Sequence, residues 1–90
     1  MNVVYLSIGT NMGEREQNLK LAVKLLTETD GITVEAVSSI YETAPVGFID
    51  QASFLNIAVR LTTTLSSADM LNVCQGIEQE LGRVRKYRWG

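Results

Sequence analysis

Residues 41–56, YETAPVGFIDQASFLN, form the stretch whose reading decides the fold, because they join two runs that both read as strands. Strands joined by a non-helical connection most simply pair antiparallel. A connection of this length in a small domain is uncommon and is usually functional or disordered. Its contents argue against disorder: the chain's only proline (Pro45), Gly47 two residues on, the aromatics Tyr41, Phe48 and Phe54, and Asn56 in an otherwise apolar strand start. Ring faces with a few directional amide and hydroxyl groups suit a flat heterocycle, and the same aromatics could equally fold back as a cover over the sheet.

On the N-terminal side of this stretch, ITVEAVSSIY (32–41) is rich in β-branched residues and predicts a strand. Before it, VVYLSIG (3–9) sets Val4, Leu6 and Ile8 against Val3, Tyr5 and Ser7, a strand with one face more deeply buried than the other. GTNMG then turns the chain, but the Gly-Lys-Ser/Thr ending of a phosphate loop is absent. From Glu14 to about Leu26, Leu19, Ala22, Val23 and Leu26 recur at helical spacing, with Glu14 and Glu16 in the first turn, where the helix dipole favours negative charge. Asp30-Gly31 supplies the turn back.

On the C-terminal side, FLNIAVRLTTTL (54–65) alternates Leu55, Ile57, Val59 and Leu61 against Phe54, Asn56, Ala58 and Arg60, and predicts the third strand. Ser66 with Asp69 three residues on approximates a capping box and starts a second helix. Met70, Cys74, Ile77 and Leu81 step by four, three and four, so that stripe faces the sheet, with Cys74 as a packed core thiol. Gln75 and Glu78 are neighbours on a flank of this helix, and Gly82 stops it. The order β-α-β-β-α predicts a single α+β domain over 1–90 with a ferredoxin-like split β-α-β arrangement, whose closing strand beside the first is expected beyond residue 90. On that reading the domain is incomplete.

Composition narrows the chemistry. With no histidine and one cysteine, a His-based triad, a Cys/His metal site and an internal disulfide are excluded. No stretch approaches the roughly 20 apolar residues of a membrane span, and the start VVYL lacks a basic leader, so a cytoplasmic location is expected. Charge is uneven: residues 1–82 hold ten acidic and four basic residues, net −6, whereas the last eight add Arg83, Arg85, Lys86 and Arg88. Such an asymmetry suits an anionic partner at the C-terminal segment, or simply a solvated basic tail.

Taken together, SIGTNMG after the first strand, SSIYETAPVG and FLNIAV around the long connection, and IEQELGRVRKYRWG after the second helix resemble the 6-hydroxymethyl-7,8-dihydropterin pyrophosphokinases across essentially all 90 residues. The resemblance implies transfer of pyrophosphate from ATP to the pterin's hydroxymethyl group with release of AMP, assisted by two bound magnesium ions. It implies that Thr43, Ala44, Val46, Phe54 and Asn56 line the pterin pocket, Phe54 stacking and Asn56 reading the ring's amide edge. Ala44 stands where the pattern often has proline, and Phe54 where tyrosine is common. The resemblance further assigns Gln75, Glu78, Arg85, Lys86, Arg88 and Trp89 to ATP, with Arg83 and Arg85 catalytic, the residues from Arg83 to Trp89 belonging to a mobile loop that closes over the phosphates. Arginine forks suit phosphate oxygens, and a closing lid excludes water.

In that family an Asp-x-Asp pair holding both magnesium ions follows the Arg-Trp-Gly segment. No Asp-x-Asp occurs in these 90 residues, so the chain is expected to be truncated before its metal ligands, with none of its own, and not to turn over. The expected partners are small molecules, with no nucleic acid and no membrane, and the complete protein is expected to be monomeric. Two other readings compete: an anion- or RNA-binding module using the basic tail and sheet aromatics, for which the strands offer little beyond Tyr5 and Phe54, and a non-catalytic piece completed by another polypeptide.

Overall fold

The computed structural model describes residues 1–11, 13–44 and 53–81, and the backbone of 86–89. The elements are β1 (Asn2–Thr10), α1 (Arg15–Glu28), β2 (Ile32–Val37), β3 (Tyr41–Thr43), β4 (Phe54–Thr63), α2 (Ser67–Leu81) and β5 (Lys86–Trp89). The sheet runs β2-β4-β1-β5, with β3 also on β4, and every pairing is antiparallel. Because β1 and β2 both run against β4, they are parallel to each other, and α1 crosses over between them. This is the expected α+β, ferredoxin-like split β-α-β arrangement.

Residue periodicity explains which faces meet. Val4, Leu6 and Ile8 of β1 and Ile57, Val59 and Leu61 of β4 alternate onto one face, where Leu19, Ala22 and Leu26 of α1 and Met70, Cys74, Ile77 and Leu81 of α2 cover them. The predicted cap of α2 is formed: Ser66 Oγ accepts the Asp69 N–H at 3.2 Å. The turn into β2 rests on Gly31, whose φ of +86° suits glycine and whose carbonyl accepts from Thr63 Oγ1 at 2.7 Å and from the Thr64 N–H at 3.0 Å. A Cβ there would also lie 3.0 Å from Leu65.

The structure departs from expectation in two places. The strand predicted over 32–41 is two strands, β2 and β3, separated at residues 38–40. The register between β2 and β4 shifts between Val34 and Ala36, and Ser38 then takes over a ladder position: its N–H donates to Ala58 O, and its Oγ accepts the Ala58 N–H, both at 2.8 Å. A serine hydroxyl competing for backbone groups interrupts the strand without leaving those groups unpaired. The second departure is the closing strand. A strand from past residue 90 was expected beside β1, and in these 90 residues that place is taken by β5, pairing Ser7 with Lys86, Tyr5 with Arg88 and Val4 with Trp89. Lys86-Tyr87-Arg88-Trp89 alternates charged and aromatic residues at period two, a strand pattern, and the open edge of β1 supplies the backbone partners. Lys86, Arg88 and Trp89 thus stand in a strand rather than in a loop, while Arg83 and Arg85 lie outside the described residues.

Cys74 sits in the core face of α2, and its thiol is pushed up to about 11 from 9.0, chiefly by burial and secondarily by the nearby Glu78 carboxylate. The unfolded chain therefore releases this proton at lower pH than the folded chain does. Stability is expected to fall as pH rises from about 9 towards about 11. Denaturant unfolding of wild type and Cys74→Ala at intervals across that range checks this, the wild type being expected to lose stability more steeply than the variant. Among the described residues no helix is long and apolar enough to cross a membrane.

Candidate functional site at the β3–β4 end of the sheet

Four of the five predicted ring-site residues lie at one end of the sheet. β3 pairs with the start of β4 in the register Tyr41 to Asn56, Glu42 to Leu55 and Thr43 to Phe54. Alternation then divides the residues by face. Leu55 packs against the helix-side core, so Glu42 shares the helix side, while Tyr41, Thr43, Phe54 and Asn56 belong to the opposite face. Phe54 is 7% exposed and does not belong to the core cluster beneath the helices, so alternation places its buried ring on the face of the sheet away from them. Ala44 follows β3 at the surface, and Val46 lies outside the described residues.

Asn56 is the centre of this group. Its Nδ2 donates to Thr43 Oγ1 at 3.0 Å and to Tyr41 O at 3.2 Å, with Phe54 O a longer contact at 3.4 Å. The other side of the carboxamide faces β1, where Gly9 is its register partner. A Cβ at Gly9 would lie 2.5 Å from Asn56 Oδ1, so only glycine leaves room for the oxygen. The carboxamide is thus fixed in orientation, donor side towards β3 and acceptor side towards β1. With both Nδ2 protons engaged, a group fixed in this way leaves the Oδ1 lone pairs to accept from a donor on a planar ring without first being ordered.

Behind this end, on the helix side, a second network ties the flanks of the long connection together. Arg15, the first residue of α1, donates through Nη1 to Ser53 O at 2.8 Å and to Ser53 Oγ at 3.1 Å, and pairs with Glu42 Oε2 at 3.8 Å. Ser53 Oγ also donates to Glu42 Oε2. Sequence reasoning passed over Gly9, Arg15, Glu42 and Ser53. One signal was present: a cation in the first turn of a helix opposes the dipole and calls for an anionic partner elsewhere.

The residues assigned to the nucleotide lie elsewhere in the fold. Gln75 is exposed and Glu78 half-buried on α2, and Lys86, Arg88 and Trp89 belong to β5. Strand β1 links the two groups: Ser7 pairs with Lys86 and Gly9 with Asn56, two residues or roughly 7 Å along the strand. Among the described residues no cluster of three or more acidic or cysteine side chains could hold a metal ion.

The fold and this grouping define a ferredoxin-like α+β domain with an oriented amide and a buried aromatic ring beside one another at one sheet end. The family model of the 7,8-dihydro-6-hydroxymethylpterin-pyrophosphokinases matches residues 5–90, and the chain belongs to that family. It is 52% identical over 89 residues to the 2-amino-4-hydroxy-6-hydroxymethyldihydropteridine pyrophosphokinase of Bacillus subtilis, covering 99% of this chain and 53% of that protein. It is 47% identical over 90 residues to the protein of the same name from Methylorubrum extorquens, covering all of this chain and 57% of that one. It is also 41% identical over 83 residues to the folic acid synthesis protein fol1 of Schizosaccharomyces pombe, covering 92% of this chain and 11% of the longer one. The chain thus spans about half the length of the two bacterial relatives.

Proposed function

We propose that this chain provides the acceptor-binding part of a pyrophosphokinase that transfers pyrophosphate from ATP to the hydroxymethyl group of 6-hydroxymethyl-7,8-dihydropterin, a step of folate biosynthesis. In this reaction the substrate hydroxyl oxygen attacks the β-phosphorus of ATP. The bond between that phosphorus and the α–β bridging oxygen breaks, AMP leaves with the bridging oxygen, and the hydroxyl proton passes to solvent. Phe54 stacks on the pterin, Thr43, Ala44 and Val46 line the pocket, and Asn56 reads the ring's amide edge. Gln75, Glu78, Lys86, Arg88 and Trp89 are assigned to ATP, and Arg83 and Arg85 to the charge that develops on the transferred phosphates.

Magnesium would supply charge neutralisation at those phosphates, and the described residues do not fit as its ligands. This chain's own residues hold and orient the ring and, through Arg83, Arg85, Lys86 and Arg88, meet the charge of the phosphates. We place the reaction in the cytoplasm, with small-molecule partners, no nucleic acid, no membrane, and a monomer as the working form.

The observation that carries this reading is the carboxamide of Asn56, anchored on Tyr41 and Thr43 beside a Phe54 ring buried apart from the core. Calorimetric titration of the chain with 6-hydroxymethylpterin tests it. Asn56→Ala is expected to weaken binding by about tenfold or more, as loss of a directional hydrogen-bonding group in a ring site does, while the far-ultraviolet spectrum stays unchanged. Unchanged affinity in that variant, or no saturable binding by the wild type, would overturn the proposal. Repeating the titration at high salt separates ring recognition from phosphate-driven binding, because only the latter collapses.

A further inference from the structure

Arg15 is the residue whose contacts the ring site leaves unexplained. It opens α1, and yet its side chain is engaged at the other end of a long sequence separation, on Ser53 and Glu42. These two residues stand on either side of the connection from residue 44 to 52. Glu42 lies between Tyr41 and Thr43, the two residues that accept from Asn56 Nδ2, and Ser53 immediately precedes Phe54. The short β3–β4 ladder of three register pairs is therefore held from both sides of the sheet: by the Asn56 carboxamide on the open side and by the guanidinium on the helix side. Three residues of strand are too few to hold a register alone, and a slip by one residue would exchange the faces of Tyr41, Glu42 and Thr43.

From this we infer that Arg15 is a positioning residue, which fixes where β3 stands against the start of β4 and thereby where the Asn56 carboxamide and the Phe54 ring are presented. The inference deepens the reading of this end as a ring site and rests on it for its functional meaning. All three contacts run through one nitrogen, Nη1, which donates to the Ser53 carbonyl and hydroxyl while facing the Glu42 carboxylate, and the planar guanidinium holds the directions of its N–H bonds fixed, whereas an ammonium on a flexible stem does not. A largely exposed Arg–Glu pair by itself adds little to stability, so the geometry of the ladder, rather than the folding of the domain, is what this residue governs.

The test uses the 90-residue chain labelled with nitrogen-15. In Arg15→Met, which keeps the aliphatic stem, the side-chain amide signals of Asn56 are expected to shift, and their exchange with water to accelerate by about tenfold, an opening of the ladder by the worth of one or two hydrogen bonds. Glu42→Gln is expected to move the same signals in the same direction, and Arg15→Lys to give an intermediate effect. The melting temperature stays within a few degrees in all three. Affinity for 6-hydroxymethylpterin is expected to fall about fivefold in Arg15→Met. Asn56 signals and exchange rates unchanged in both Arg15→Met and Glu42→Gln would overturn the inference. Because those signals are read without ligand, failure of the wild type to bind pterin counts against the proposed function alone.

Discussion

Gly9→Ala is expected to remove most of the pterin affinity while leaving the domain folded. The added Cβ would stand 2.5 Å from Asn56 Oδ1, well inside contact distance, and the atom it meets is the carboxamide oxygen rather than the end of a long flexible chain. Backbone strain is not the cause, since Gly13 and Gly31 are the glycines with positive φ among the described residues. The carboxamide must swing away, and in doing so it loses Thr43 Oγ1 and Tyr41 O as acceptors. The expected loss is about tenfold or more in affinity, with about 1–3 kcal/mol of destabilisation from the overpacked contact. A double-mutant cycle gives the sharper measurement. With Asn56→Ala in place the new Cβ has nothing to strike, so Gly9→Ala should then add almost no further loss. Additive losses would show that Gly9 acts on the ring by some route other than Asn56.

The largest stability effect is expected from Leu61→Ala. Leu61 is fully buried, and it pairs with Val4 of β1 on one side and Val34 of β2 on the other, so its side chain fills the middle of the sheet's helix face. Truncation should cost about 2–5 kcal/mol. That is a large part of the roughly 5–15 kcal/mol available to a domain, and small domains lie at the lower end. Urea unfolding should show a lower midpoint with an unchanged slope, and the melting temperature should drop by about 10 °C or more. Arg60→Ala, one residue away on the exposed face, should stay within about 0.5 kcal/mol of wild type. Similar effects at the two positions would mean that the faces of β4 are assigned wrongly.

Much of this fold was legible because its long elements carry a strong period. The apolar steps of α1 and α2 and the alternation in β1 and β4 each mark a buried face, and Ser66 marks a helix start through a local hydrogen bond. The shorter elements were not legible in the same way. Nothing local distinguishes one strand over 32–41 from two, because the break depends on Ser38 meeting Ala58, a partner twenty residues away. β5 was hidden behind its own charge: Lys86 and Arg88 read as a cationic segment, and the free edge of β1 that recruits them is a property of the assembled sheet. At the site, Phe54 and Asn56 stood out as an aromatic and an amide in an apolar strand. Gly9 and Arg15 did not, since the importance of each lies in a contact across the sheet rather than in its own chemistry. Phe54 and Asn56 were therefore singled out by residue type, Thr43 and Ala44 were named only through the family resemblance, and what holds the group in place was given by neither.

β4 has one further consequence, for the order of events during synthesis. It is the strand on which β1, β2 and β3 all pair, and its last residue, Thr63, is the register partner of both Asn2 and Ile32. β3 needs only residues 54–56, but neither β1 nor β2 can complete its pairing with β4 until residue 63 has left the ribosome, and the first strand made waits longest for its neighbour. Closing so long a span is slow, and β1, with its apolar Val4, Leu6 and Ile8, stays uncovered meanwhile. A nascent chain stalled with residue 50 at the tunnel exit should therefore be protease-sensitive and bound by chaperones. One stalled with α2 fully emerged should be compact, and pulse proteolysis of ribosome-bound chains of graded length would locate that step between the two.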